Sequence, residues 1–185
     1  MLTIEQMKAI AQADAMGSDY FVVDDKVYDG VYDDAVEQYN RWREYNNEAG
    51  KWRDGLVDFL DQMYVEIEYN YDGDYLVFTD DEADLYAYEN VKQTLWAFNP
   101  DFLAGETGLP VEVFQALADS YRCEGNNDAI EKMIDATCGL YSFVQAAISV
   151  DGRGHFMNSY DGDESEFNCF SYTGKNEHLY VVRMN

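Results

Sequence analysis

The hydrophobic period of this chain changes between Met63 and Val65, and that change constrains what it can fold into. Trp52, Leu56, Phe59, Leu60 and Met63 recur at the spacing of one helical face. Val65, Ile67, Tyr69 and Tyr71 then alternate with Glu66, Glu68 and Asn70, the two-residue repeat of a half-buried strand. Helical and strand periods side by side predict an α+β chain. Asp72-Gly73 supplies a tight turn, and Tyr75-Leu76-Val77-Phe78 reads as the returning strand of a hairpin. Glu66 and Glu68 are expected together on its solvent face.

The same reading extends along the chain. Thr3 and Gln6 have capping-box spacing and predict a helix over 4–16. Residues 20–23 and 27–28, joined by Asp24-Asp25-Lys26, predict a short hairpin, and residues 31–46 a helix. Thr79 and Glu82 repeat the capping-box spacing, with Ala87, Val91 and Leu95 on one face of the helix they open. Asp80, Asp81, Glu82 and Asp84 crowd its first turn, where the helix dipole favours each carboxylate by about 0.3–1 kcal/mol. Four are more than one N-terminus uses.

Asn99-Pro100 starts a short turn or helix, and Pro110 fits the first position of a helix reaching about Arg122. A further helix follows Gly125-Asn126-Asn127. Leu140, Phe143, Val144, Ala147 and Ile148 form an amphipathic stretch facing the core. Asp151-Gly152-Arg153-Gly154-His155-Phe156 is a glycine-punctuated turn, and residues 167–172 and 179–183 read as a closing hairpin. No repeat or linker cuts the chain. The expectation is a single compact α+β domain over 1–185, with several helices packed on short antiparallel hairpins; the alternative division is into lobes of 1–99 and 100–185.

Charge narrows the function. The chain has 37 Asp and Glu against 12 Lys and Arg, a net charge of -25, and self-repulsion of that size costs stability. Twelve of the acids lie between positions 54 and 91, where there is no Lys or Arg: Asp54, Asp58, Asp61, Glu66, Glu68, Asp72, Asp74, Asp80, Asp81, Glu82, Asp84 and Glu89. These twelve are the candidate partner-binding residues. Disorder does not explain the acidity, because the chain has 16 Tyr, 10 Phe and 3 Trp. The charge disfavours direct contact with nucleic acid or an anionic membrane. No apolar run approaches a membrane span of about 18 residues, and residues 1–16 lack the basic-then-apolar order of a signal peptide. Cys123, Cys138 and Cys169 are odd in number and widely spaced, which fits reduced thiols in the cytoplasm.

Site chemistry finds little purchase. Residues 161–166 place oxygen ligands at alternating positions, but Glu166 stands where a calcium loop needs glycine and Tyr172 where it needs glutamate. No metal site or cofactor is expected. His155 and His178 are the only histidines, and no local signature pairs either with a nucleophile. The glycines of 151–156 do not match a phosphate-binding loop. No catalytic residue is assigned; Arg153 and His155 are expected to satisfy nearby carboxylates. Tyrosines beside acid (Tyr20, Tyr28, Tyr32, Tyr39, Tyr45, Tyr69, Tyr71, Tyr86, Tyr88) combine interface anchors with core residues. Solubility or a salt-rich cytoplasm is the competing explanation of the acidity, and the heavy use of large aromatics fits it less well.

The C-terminal part, residues 75–185, resembles a group of uncharacterised acidic proteins from bacteriophages and mobile elements. The resemblance rests on Leu95-Trp96-Ala97-Phe98-Asn99-Pro100-Asp101-Phe102-Leu103 and on Asp151-Gly152-Arg153-Gly154-His155-Phe156 followed by Ser159-Tyr160-Asp161-Gly162. It implies a phage or mobile-element origin and carries over no activity. By charge class alone, the chain also resembles antirestriction and anti-CRISPR DNA mimics.

Duplex DNA presents one phosphate charge per about 1.7 Å of axis, and a rigid acidic protein can imitate that spacing. The expected function is therefore a non-enzymatic phage-type inhibitor, acting in the host cytoplasm as a DNA mimic on the basic nucleic-acid site of a restriction or CRISPR enzyme. The alternatives are an immunity or antitoxin protein against a basic toxin, and an enzyme built on the 151–156 turn. A dimer is compatible with either binding role.

Overall fold

In the structure, a computed structural model, the described residues are 2–46, 52–119, 124–157 and 159–185, without the side chains at 45, 46, 52–54, 119 and 124. In chain order the elements are α1 (Ile4–Met16), β1 (Tyr20–Val23), β2 (Lys26–Asp29), α2 (Tyr32–Asn46), α3 (Trp52–Met63), β3 (Tyr75–Phe78), α4 (Asp80–Gln93), α5 (Pro100–Thr107), α6 (Val111–Asp119), α7 (Asn127–Ala136), α8 (Leu140–Asp151), β4 (Ser165–Asn168) and β5 (His178–Arg183). The chain is α+β, as its mixed periods predict. Among the described residues no single helix is long and apolar enough to cross a membrane.

The elements gather into two compact units. The first holds Met1–Thr79 and Ser165–Met184; the second holds Asp80–Glu164 together with Asn185.

In the first unit, α1 starts where Thr3 accepts from the Gln6 N–H at 3.2 Å and the Gln6 side chain accepts from the Thr3 N–H at 2.9 Å. Such a cap stabilises a helix by about 1 kcal/mol. The helix ends at Gly17, whose φ of 69° is left-handed. Its inner face buries Met7, Ile10 and Ala11 against Val27, Val77, Leu179 and Val181. A second cluster joins Phe21, Tyr28, Tyr39, Leu56, Phe59 and Leu60. The helical period of α3 thus holds at Leu56, Phe59 and Leu60. Met63 departs from it: it sits in the last turn, 62% exposed, and Tyr64 packs against the cluster after it. Trp52, whose side chain the expectation also places on this face, lies outside the described residues.

The sheets differ from expectation in two respects: the strand expected over 167–172 lies at 165–168, with 170–173 turning helical, and β3 takes a different partner. β1 and β2 form the expected hairpin, with Tyr20 opposite Asp29 and Val23 opposite Lys26. β4 and β5 pair antiparallel from Ser165–Val181 to Asn168–His178, with a single helical turn, Phe170–Thr173, between them. However, 65–71 and 75–78 do not form a hairpin. β3 pairs antiparallel with β5, which becomes the central strand in the order β3-β5-β4. The long apolar run of β5 offers β3 four residue pairs and buries Val77, Leu179 and Val181 together.

The extended segment 65–71 keeps one backbone bridge, Glu66 opposite Tyr28 of β2. Beside β3 it contributes a side chain where a strand was predicted. The Tyr69 hydroxyl accepts from the Val77 N–H at 2.8 Å and donates to the Val77 C=O at 3.2 Å, taking the place of one backbone rung.

In the second unit, Ala83, Ala87 and Val91 of α4 and Phe143, Val144 and Ala147 of α8 are buried, as is Leu95 in the short turn after α4. Four phenylalanines knit this core. Phe98 lies 5.2 Å from Phe143 edge-on and stacks on Phe156 at 5.9 Å; Phe102 meets Phe143 at 5.4 Å. The distinctive strings at 95–103 and 151–156 therefore meet in one aromatic cluster. Gly154 is required there, because an added Cβ would stand 2.7 Å from the Gly162 carbonyl oxygen and 2.9 Å from the Glu164 nitrogen.

Candidate functional site

The structure distributes the candidate acids over both units. Asp58, Asp61, Glu66, Glu68, Asp72 and Asp74 belong to the first, and Asp80, Asp81, Glu82, Asp84 and Glu89 to the second; all eleven are exposed. Asp54 has its side chain outside the described residues.

Several of these carboxylates are engaged within the protein. Both Asp61 oxygens accept from the Lys26 ammonium at 2.8 Å, and one also accepts from the Tyr28 hydroxyl at 2.6 Å. The Lys26 contact, then the Tyr28 hydrogen bond, hold the Asp61 carboxyl below its usual range. Burial, followed by the bond to Asp61, pushes the Tyr28 phenol up. A carboxylate with a lowered pKa stabilises the fold fully above the ordinary aspartate range of about 4, and that contribution is lost as pH falls through the lowered value. Asp61→Asn is thus expected to be less stable than wild type near neutrality, with the gap closing in acid. Chemical denaturation across that range measures it, and a gap independent of pH would refute the role.

In the second unit Arg153 gathers three acids. Its Nη1 donates to Asp80 Oδ1 at 2.8 Å and to Asp84 Oδ1 at 2.6 Å, and its Nε donates to Glu164 Oε2 at 3.0 Å. Burial by itself lowers the guanidinium pKa, but the hydrogen bonds to Asp80, Glu164 and Asp84 outweigh it and raise the value. The crowding of acid at the start of α4 thus has a structural partner 69 residues or more along the chain. His155 is exposed, and its ring makes an edge contact with Phe156. It lines a cleft of about 300 Å³ with Asn90, Phe98 and Asp151.

In the first unit several exposed acids gather around one groove. A groove of about 570 Å³ runs between α1 and the segment 65–74. Asp29, Glu66, Glu68, Asp72 and Asp74 line it, and its lining includes no Lys or Arg. Met16 of α1 and Val65, 60% and 72% exposed, supply apolar surface beside them, and the buried Ala9 and Ala13 line the groove behind. Glu66 and Glu68 also line a second recess, of about 350 Å³, with Glu5 and Tyr71. The Tyr71 hydroxyl donates to Glu5 Oε2 at 2.5 Å. Glu66 and Glu68 therefore occupy a ridge between two recesses.

Two residues that sequence reasoning missed hold this groove in shape. Gln12 is 5% exposed; its Oε1 accepts from the Asn70 N–H at 2.9 Å, and its Nε2 donates to the Asn70 C=O at 2.9 Å and to the Tyr75 C=O. Gly73 closes the turn where a Cβ would come within 2.9 Å of the same Nε2. The available signal was a glutamine on the apolar face of α1, since a buried amide requires partners. Asp29 was also missed, because it lies outside the acid-dense stretch. Among the known proteins, no family model, curated protein or solved structure matches the chain.

Proposed function

We propose that this chain is a non-enzymatic inhibitor that occupies the basic nucleic-acid site of a host defence enzyme, of restriction or CRISPR type, in place of the polyanion. The observation that carries this reading is the groove of the first unit, where Asp29, Glu66, Glu68, Asp72 and Asp74 surround apolar surface with no cation among them. Carboxylates held by ordered backbone attract a basic surface at long range and set its register on contact. Asp61, Asp80 and Asp84 contribute to the overall field while serving the fold. The phage context comes from the strings at 95–103 and 151–156.

The test is capture of partners from host lysate on the immobilised protein, followed by elution with duplex DNA or with salt. The expected retained protein is a nucleic-acid-binding enzyme that duplex DNA displaces, and whose activity the free protein inhibits less as ionic strength rises. A retained protein that salt releases but duplex DNA does not would overturn the reading, and would point instead to neutralisation of a basic toxin.

A further inference from the structure

Backbone geometry along the groove says more about its occupant than charge does. The Val65 C=O accepts from the Asp29 N–H at 3.0 Å, and the Ile67 N–H donates to the Val27 C=O at 2.9 Å, so the odd-numbered residues of this extended segment turn their polar groups toward β2. Alternate residues of an extended chain turn theirs to opposite sides. Glu66, Glu68 and Asn70 therefore present N–H and C=O on the side away from β2. At Asn70 both groups are taken by the Gln12 amide, which pairs with them as a neighbouring peptide unit would. At Glu66 and Glu68 neither group has a hydrogen-bond partner among the described residues. One rung of a ladder is thus filled by a side chain, and the two before it are open.

We infer that the partner enters as an added β-strand: an extended segment bearing Lys or Arg pairs its backbone with Glu66 and Glu68 and places its cations among the groove carboxylates. Main-chain bonds supply affinity in this mode, and alternate side chains supply specificity. A second copy of this chain is a poor occupant, because Glu66 and Glu68 would face like charge across the new ladder. A cationic strand meets the opposite condition. The inference rests on the proposed function, whose basic partner it describes as a strand.

The probe is a capped hexapeptide of alternating lysine and threonine, titrated at low salt beside two versions N-methylated on one or the other alternate set of amides. N-methylation removes N–H donors and keeps every charge. Methylating the set that faces the protein is expected to weaken binding by about tenfold or more, and methylating the other set to change it little. Hydrogen exchange is expected to slow at the Glu66 and Glu68 amides in the complex. Equal binding of all three peptides overturns strand pairing and leaves the charge-based reading standing. Unchanged exchange at both amides overturns it as well, as does failure of the parent peptide to bind. Release of the captured enzyme by duplex DNA reports on the proposed function separately.

Discussion

Reversing Glu66 and Glu68 together to lysine is expected to weaken binding of a basic probe, such as oligolysine at low salt, by about 10- to 100-fold. The pair stands on the ridge between two recesses, both side chains are exposed, and among the described residues no ion pair involves either. Stability should therefore change little, and the loss should shrink as salt screens the probe. The informative contrast is Asp80→Lys with Asp84→Lys, which makes the same change in net charge. Those carboxylates hold Arg153, so their reversal leaves a guanidinium that is 10% exposed facing two ammonium groups. That variant is expected to melt at lower temperature, whatever it does to binding. Isothermal titration and thermal melts of both variants decide the matter. Equal loss of binding from the two would mean that total charge, and not the groove, governs recognition.

Phe143→Ala is expected to cost about 3–5 kcal/mol, the usual range for emptying a buried phenylalanine site. Phe143 is fully buried and touches both Phe98 and Phe102 edge-on, so truncation removes the ring around which the string at 95–103 packs. In a unit of this size such a loss corresponds to a fall in melting temperature of more than about 10 °C. Calorimetry and near-ultraviolet circular dichroism should show it. A change below about 1 kcal/mol would mean that the neighbouring rings collapse into the space and that the cluster does not organise this unit. The groove of the first unit provides an independent check, because oligolysine binding should survive the substitution wherever the fold does.

What could be read from the sequence was local. Thr3 and Gln6 mark the start of α1, the apolar runs at 20–23 and 27–28 around Asp24-Asp25-Lys26 give a hairpin, and the spacing of Leu56, Phe59 and Leu60 gives the buried face of α3. Each signal lies within a few residues of the structure it specifies. The partner of β3 was not legible in the same way. A tight turn and a matching alternation argue for the nearest strand, whereas β5, about a hundred residues further on, offers the larger apolar surface.

The same limit applies to the site. Charge density pointed to residues 54–91 and picked out Glu66, Glu68, Asp72 and Asp74, but it could not separate them from Asp61, Asp80 and Asp84, whose partners Lys26 and Arg153 are remote in sequence. Asp29 shows the converse: it joins the groove only because β2 runs beside the segment 65–67.

The central position of β5 bears on the order in which the molecule is made. Residues 178–183 leave the ribosome only after β3, β4 and all of 80–164, yet both β3 and β4 hydrogen-bond to them and the α1 cluster closes over Leu179 and Val181. During synthesis the inserted stretch 80–164 is complete while the surrounding unit still lacks its middle strand. The second unit is therefore positioned to fold first, with α1 and β3 waiting on β5. Without residues 178–183 two strands would lack a neighbour, and the cluster that α1 covers would lose Leu179 and Val181.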